Sequence, residues 1–248
     1  MIIDSFDDKS EAIINPPQVE SKFKCDVCLI TFSNKIEDYV KTNFNLKQVG
    51  TFSCVNGEFP IYGFEYENKI ICIYKTPVGA CASVGMIEDV ANMIDTKKFL
   101  VFGSAGILNK DACFNKVIVP TYAYRDEGTS YHYTKPQDYI KIKNSNIVVK
   151  FLTKHNIPYI EGKIWTTDAF YRETKNNYQK RKDDGCIAVD MECSAMQAVC
   201  DFRNLDLFYF VLGGDLLDSP KWDKNDLKKA NHNFDNFNIA LHLALYIS

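Results

Sequence analysis

The sequence predicts one α/β domain, a β-sheet layered with helices. Short apolar runs alternate along the chain with segments whose apolar residues recur three or four positions apart. Proline and glycine fall between these segments, with no low-complexity linker and no internal repeat, so nothing marks a domain boundary. The chain has 248 residues, 46% hydrophobic and 25% charged, enough to bury a core and unlike disordered, collagenous or coiled-coil sequences.

In chain order, residues 1–24 carry Pro16–Pro17 and many polar groups, and read as an extended arm over the surface or over a neighbouring subunit; residues 25–248 form the domain. Period-2 patterns and buried apolar runs predict strands at Asp26–Thr31, Phe64–Glu67, Ile70–Lys75, Phe99–Gly103, Lys116–Pro120, Tyr159–Trp165, Ile187–Asp190 and Asp206–Leu212. Helical spacing predicts helices over Ser83–Ile94, Ile147–His155, Ser194–Phe202 and Asn225–Leu245. The polar stretch 172–185, RETKNNYQKRKDDG, reads as a mobile flap or a solvated helix.

Charge and composition exclude several classes. Twenty-nine Lys and Arg against 32 Asp and Glu give a net charge of −3 with no basic block, so no nucleic-acid partner is expected. No run approaches the roughly 18 apolar residues of a membrane span. The acidic first twenty residues do not form a secretory signal, which points to the cytoplasm and to no membrane partner. The nine cysteines are scattered through apolar runs and read as buried free thiols. Cys25 and Cys28 spell C-x-x-C inside a strand pattern, but no second ligand pair completes a zinc site. His132, His155, His232 and His242 are isolated, so no metal site is expected.

Four segments carry groups beyond what packing needs. Phe99–Phe102 runs into Gly103-Ser104-Ala105-Gly106, small residues that let a ligand approach backbone N–H groups at a strand end. Thr121–Tyr133 concentrates Arg125, Asp126, Glu127, His132 and four tyrosines; it reads as a binding or subunit-contact loop, or as a loop in which Arg125 is neutralised by its acidic neighbours. Val189–Ala195 places Asp190 and Glu192 at the start of a helix, where a carboxylate serves as a dipole partner or accepts from a vicinal diol. Phe208–Gly214 leads to Asp215, a carboxylate near apolar walls that suits a general acid; Asp218 and Asp223 read as solvated loop residues. In an α/β sheet these strand ends converge on one crevice.

Taken in order, the glycine loop, Arg125–Tyr133, Thr167-Asp168-Ala169-Phe170-Tyr171, Val189–Glu192 and Gly214-Asp215 resemble the hexameric nucleoside phosphorylases, which include bacterial purine nucleoside and uridine phosphorylases. The resemblance spans about residues 25–245. It implies a phosphorylase/hydrolase-like fold with a mixed, partly barrel-like sheet, and no cofactor beyond inorganic phosphate as co-substrate. It also implies a homodimer or a hexamer built as a trimer of dimers.

By that resemblance Met191 and Glu192 hold the ribose, Phe170 stacks on the base beside Ala105 and Gly106, Ser104 and Gly79 lie at the phosphate, and Asp215 protonates the departing purine. Arg172–Asn176 does not reproduce the Gln and Arg with which the uridine branch reads uracil, which tilts the reading to purines. The chain departs from the family at the phosphate. Thr31–Ile36 lacks the usual glycine and arginine, and Val101 and Asn56 stand where two further arginines are usual. A bidentate arginine is the strongest grip on a dianion. Either Arg125, Lys35 or Arg172 supplies the cation, or water replaces phosphate in a hydrolytic nucleosidase, or the chain is a non-catalytic nucleoside-binding or storage relative.

Overall fold

A computed structural model of the chain describes residues 1–219, 221–224 and 227–248. Among the described residues there are twelve strands: β1 Phe23–Lys24, β2 Val27–Thr31, β3 Lys47–Cys54, β4 Gly57–Tyr66, β5 Lys69–Lys75, β6 Ile94–Asp95, β7 Lys98–Ile107, β8 Val117–Asp126, β9 Tyr139–Lys141, β10 Tyr159–Thr167, β11 Cys186–Asp190 and β12 Asp206–Leu216. The helices are α1 Asn34–Asn43, α2 Ala80–Met93, α3 Lys110–Cys113, α4 Ser145–Lys154, α5 Lys175–Asp183, α6 Cys193–Phe202, α7 Leu227–Asn231 and α8 Phe234–Ile247. Short 3-10 turns lie at Ile2–Asp4, Thr129–His132 and Phe170–Arg172.

Ten strands form one mixed sheet in the order β11-β10-β8-β12-β7-β2-β5-β4-β3, with β9 on β8. A further antiparallel pairing of β11 with β7, Ala188 to Ile107 and Val189 to Gly106, closes one end of the sheet into a small barrel. β7 pairs in parallel with both β2 and β12, so it is a central strand, and Leu100, Val101 and Phe102 are buried on both faces. One apolar layer packs α2 and α6 against the sheet through residues such as Met86, Ile87, Met196 and Val199. The opposite layer packs α1, α4 and α8 through Ile36, Val40, Phe151, Phe237 and Leu241.

All eight expected strands are present, and the differences fall where function was sought. Gly103–Gly106 is not a turn after a strand: β7 runs through it to Ile107. β8 runs on from Pro120 to Asp126, so the first half of the expected loop is strand. β12 likewise passes Gly213, Gly214 and Asp215 to Leu216, but its register on β7 shifts between Gly213 and Leu216. Such an irregularity re-aims side chains without ending a strand.

The helix expected over Asn225–Leu245 is two helices, since Asn233 caps α8 by accepting from the Asp235 and Asn236 N–H groups; its first two positions lie outside the described residues. The polar stretch 172–185 contains α5, whose Tyr178 hydroxyl donates to Asp218 (2.8 Å) and to the Leu108 carbonyl (3.3 Å). Asp218 is therefore partnered rather than merely solvated. Its hydrogen bond from Lys182 holds its carboxyl down to about 2. Cys25 and Cys28 are buried free thiols. The first 24 residues are mostly exposed, with Ser5, Phe6, Pro16 and Phe23 half-buried and β1 paired with β6.

Candidate active site

The strand ends meet as the sheet topology requires. Parallel pairing sets Leu212 beside Ser104 and Gly213 beside Ala105, so the small residues of β7 and the acid of β12 share one crevice. At Gly106 a Cβ would lie 2.9 Å from Val189 and 2.8 Å from Leu217, and 3.4 Å from Asp215 Oδ1. Only glycine lets β11 and the end of β12 close this tightly, and the missing side chain leaves room for Asp215 Oδ1 against the β7 backbone. Asp215 is half-buried and its Oδ2 accepts from Trp222 Nε1 at 2.7 Å.

Glu192 is buried just before α6 and does not cap that helix. The cap comes from Asp190, whose Oδ2 accepts from the Cys193 N–H at 3.1 Å. Glu192 Oε1 instead accepts the Gly79 N–H at 2.6 Å, across 113 residues of sequence. Gly79 has φ +108°, a backbone that L side chains rarely adopt, with open space where a Cβ would stand. Burial, then the charge of Asp190, pushes the Glu192 carboxyl up to about 8. Asp190 also accepts from the hydroxyls of Thr166 and Tyr209, both at 2.7 Å; burial raises it to about 6 against those bonds. Met191 lies between the two acids, half-buried.

Phe170 and Tyr171 follow β10, half and mostly exposed, with ring centroids 4.2 Å apart. Asp168 Oδ2 accepts the Gly128 N–H at 2.9 Å, which joins this segment to the loop after β8. Next to Phe170 stands Glu173, a residue the sequence reading gave no role: burial and then the charge of Asp215 push its carboxyl up to about 7. No motif marks it, because its partner lies 42 positions away and is reached only through the fold.

Arg125 stands apart from the other predicted residues. Its guanidinium is buried, donates to Ser130 Oγ (2.8 Å) and to the Lys135 and Gln137 carbonyls (2.8 and 3.3 Å), and stacks on the Tyr131 ring. It is linked to α6 by relay: the Ser130 N–H and the Ser194 hydroxyl both donate to Glu127. Arg125 thus braces the loop behind Glu192.

At the end of β7, Ser104 donates to Asn231 Oδ1. One strand over, Ser33 lies 2.7 Å from His232 Nδ1, so His232 is not isolated. His155 packs on Phe151 and His242 on Tyr66. Among the described residues no group of three metal-ligating side chains converges, and no helix is long and apolar enough to cross a membrane.

A buried carboxyl facing a backbone N–H, a second acid on an irregular strand end and an exposed aromatic pair after β10 are groups suited to a small polar molecule with an apolar ring. The chain belongs to the phosphorylase superfamily, whose sequence model matches residues 27–241. It is 26% identical over 231 residues to the uncharacterized protein R802 of Acanthamoeba polyphaga mimivirus, covering 90% of this chain and 87% of that one. It is 22% identical over 214 residues to the DeoD-type purine nucleoside phosphorylase of Exiguobacterium sibiricum, covering 84% and 89%. A 5'-methylthioadenosine/S-adenosylhomocysteine nucleosidase of Buchnera aphidicola is 26% identical over 159 residues, covering 60% of this chain and 68% of that one. The structure of futalosine hydrolase from Helicobacter pylori superposes with a TM-score of 0.68 at 15% identity, covering 91% of this chain and 97% of that one, and shares the fold. Named members of the family thus act on nucleosides by phosphorolysis or by hydrolysis, and the family needs no cofactor.

Proposed function

We propose that the protein cleaves the N-glycosidic bond of a purine-leaning nucleoside with inorganic phosphate, giving free base and ribose 1-phosphate. The observation that carries this reading is the Glu192–Gly79 contact, in a fold that also brings Asp215 to Gly106. The contact places a buried carboxyl where it can meet a sugar diol, and Asp215 offers an acid for the leaving base.

Breaking the bond builds positive charge on the ribosyl centre and negative charge on the base, so groups that meet those charges only in the transition state accelerate the step. Glu192 and Met191 hold the ribose, Glu192 through hydrogen bonds to its hydroxyls. Phe170 packs the base against Ala105 and Gly106. Asp215 delivers the proton to the departing base, with Glu173 beside it pushed up to about 7, so that it holds its proton below that pH. Phosphate attacks from the Ser104 side, where Gly79 also opens. Arg125 Nε and Nη1 donate within its own loop, while Nη2 has no partner among the described residues; in this reading the side chain holds that loop in position.

Hydrolysis is the second reading, favoured by the absence of the arginines that normally grip phosphate. A homodimer or trimer of dimers in the cytoplasm, with no nucleic-acid or membrane partner, completes the proposal. Glu192→Ala tests the site: it lowers kcat/KM for every nucleoside alike, because it touches the sugar common to all. Loss for one base class only would move Glu192 off the ribose.

A further inference from the structure

Glu173 closes the 3-10 turn that begins at Phe170, its N–H donating to the Phe170 carbonyl at 3.3 Å. The next residue, Thr174, caps α5 by accepting from the Asn177 N–H at 3.4 Å. The turn and the cap fix the backbone on both sides of Glu173, in the segment that carries the exposed Phe170 ring. The Glu173 side chain is half-buried, and among the described residues its carboxyl makes no hydrogen bond.

Asp215 comes to the same place from the end of β12. Its Oδ2 is taken by the Trp222 Nε1–H, while Oδ1 lies against Gly106 and accepts from no described donor. Burial and the charge of Asp215 are the influences that act on the Glu173 carboxyl. The other charged groups of these segments are engaged or face water. Arg172 and Lys175 are exposed, Arg181 pairs with Asp184, Lys182 pairs with Asp218, the Lys224 ammonium lies over the Trp222 ring, and Asp223 is bridged to Leu216. Two carboxyls with unused hydrogen-bonding capacity therefore stand together next to an exposed aromatic ring.

A purine carries two hydrogen-bonding positions side by side on one edge. N7 is an acceptor in every purine; the neighbouring 6-substituent is an acceptor, O6, in a 6-oxopurine and a donor, the N6 amine, in a 6-aminopurine. An acid serving N7 leaves a neighbouring carboxyl to meet the 6-substituent. That carboxyl changes role with its proton, since it donates when protonated and only accepts when ionised.

We propose that Glu173 determines base specificity: it reads the 6-substituent of the purine while Asp215 serves N7, so that 6-oxopurine nucleosides are preferred while Glu173 holds its proton and lose that preference as it ionises. The inference deepens the reading of the chain as a purine-nucleoside-cleaving enzyme and rests on it, whether phosphate or water is the nucleophile. Protonated Glu173 donates to O6, and ionised Glu173 accepts from N6–H. Its value of about 7 sets the change-over near neutrality.

The test is kcat/KM for inosine and for adenosine as a function of pH. Between about pH 5.5 and about pH 8 the inosine-to-adenosine ratio of the parent should fall at least about 10-fold, the worth of one discriminating hydrogen bond. In Glu173→Gln, whose amide offers either a donor or an acceptor and does not titrate, the ratio should stay constant within about twofold. A constant ratio in the parent, or the same fall in Glu173→Gln, would overturn the proposal. Calorimetric titration of the intact parent with hypoxanthine and with adenine separates base reading from turnover. If no purine nucleoside is cleaved, the cleavage reading fails. The assignment of Glu173 then stands only if the hypoxanthine-to-adenine affinity ratio shows the same fall with pH, and is overturned if that ratio is constant or neither base binds.

Discussion

Asp215 is the residue on which the proposed chemistry turns. Asp215→Asn keeps the size and the contact with Trp222 but cannot give up a carboxyl proton. Its kcat for purine nucleosides should fall by roughly 10²–10⁴, the usual worth of general acid catalysis, with little change in nucleoside KM. Unchanged turnover would remove Asp215 from the mechanism. Glu173 adds a pH signature. It loses its proton as the pH rises through about 7, so purine release should weaken over that range. Glu173→Gln, which does not titrate, should flatten that limb; a pH–rate profile identical to the parent's would free Asp215 from its neighbour. Glu192 links function to stability. Its folded value of about 8 lies above the ordinary value of 4.5, so between those limits the folded protein holds a proton that the unfolded chain has released. Stability from this group is therefore lost as the pH rises through that window. Glu192→Gln should melt above the parent by several degrees at pH 9 and close to it at pH 4.5. An equal Tm difference at both pH values would contradict the buried, proton-holding Glu192.

At the scale of elements, the start of α6 depends on one buried acid. Asp190 joins β10 through Thr166, β12 through Tyr209 and α6 through the Cys193 N–H. Removing it strands three donors without water, at about 1–3 kcal/mol for each group left unpaired. Asp190→Ala should therefore lower the denaturant midpoint strongly, and a loss below about 1 kcal/mol would show that the network relaxes. The central strands were legible because strands buried on both faces read as unbroken apolar runs, as in Phe99–Phe102 and Phe208–Val211. The exposed edge strand β3 and helix α1, which buries only Ile36 and Val40, gave no such signal. Glycines read as stops in β7 and β12 because sequence patterns cannot distinguish a turn from a strand that narrows for close packing at Gly106. The approach of Gly79 to Glu192 was likewise hidden, since it joins β11–α6 to the N-cap of α2.

For the whole molecule, the barrel closure between β7 and β11 sets the start of the Val189–Ala195 segment beside Gly106, next to the end of β12. The layering of sheet and helices was readable from α/β alternation, whereas the contact of the segment after α7 with the start of α1 was not, because His232 meets Ser33 across 199 residues. Exposed apolar side chains on the arm, including Ile13, Ile14 and Val19, together with Val55 and Val78, suit burial between subunits. Light scattering should give two or six times 28.4 kDa, and a monomer at micromolar concentration would contradict the proposed assembly. The most direct test of the proposed function is release of free base from inosine, adenosine, guanosine, uridine and methylthioadenosine, each with and without phosphate. Phosphate-dependent release from the purine nucleosides, with ribose 1-phosphate as the second product, is the predicted result. Release that proceeds equally without phosphate, or no release from any of the five, would contradict it.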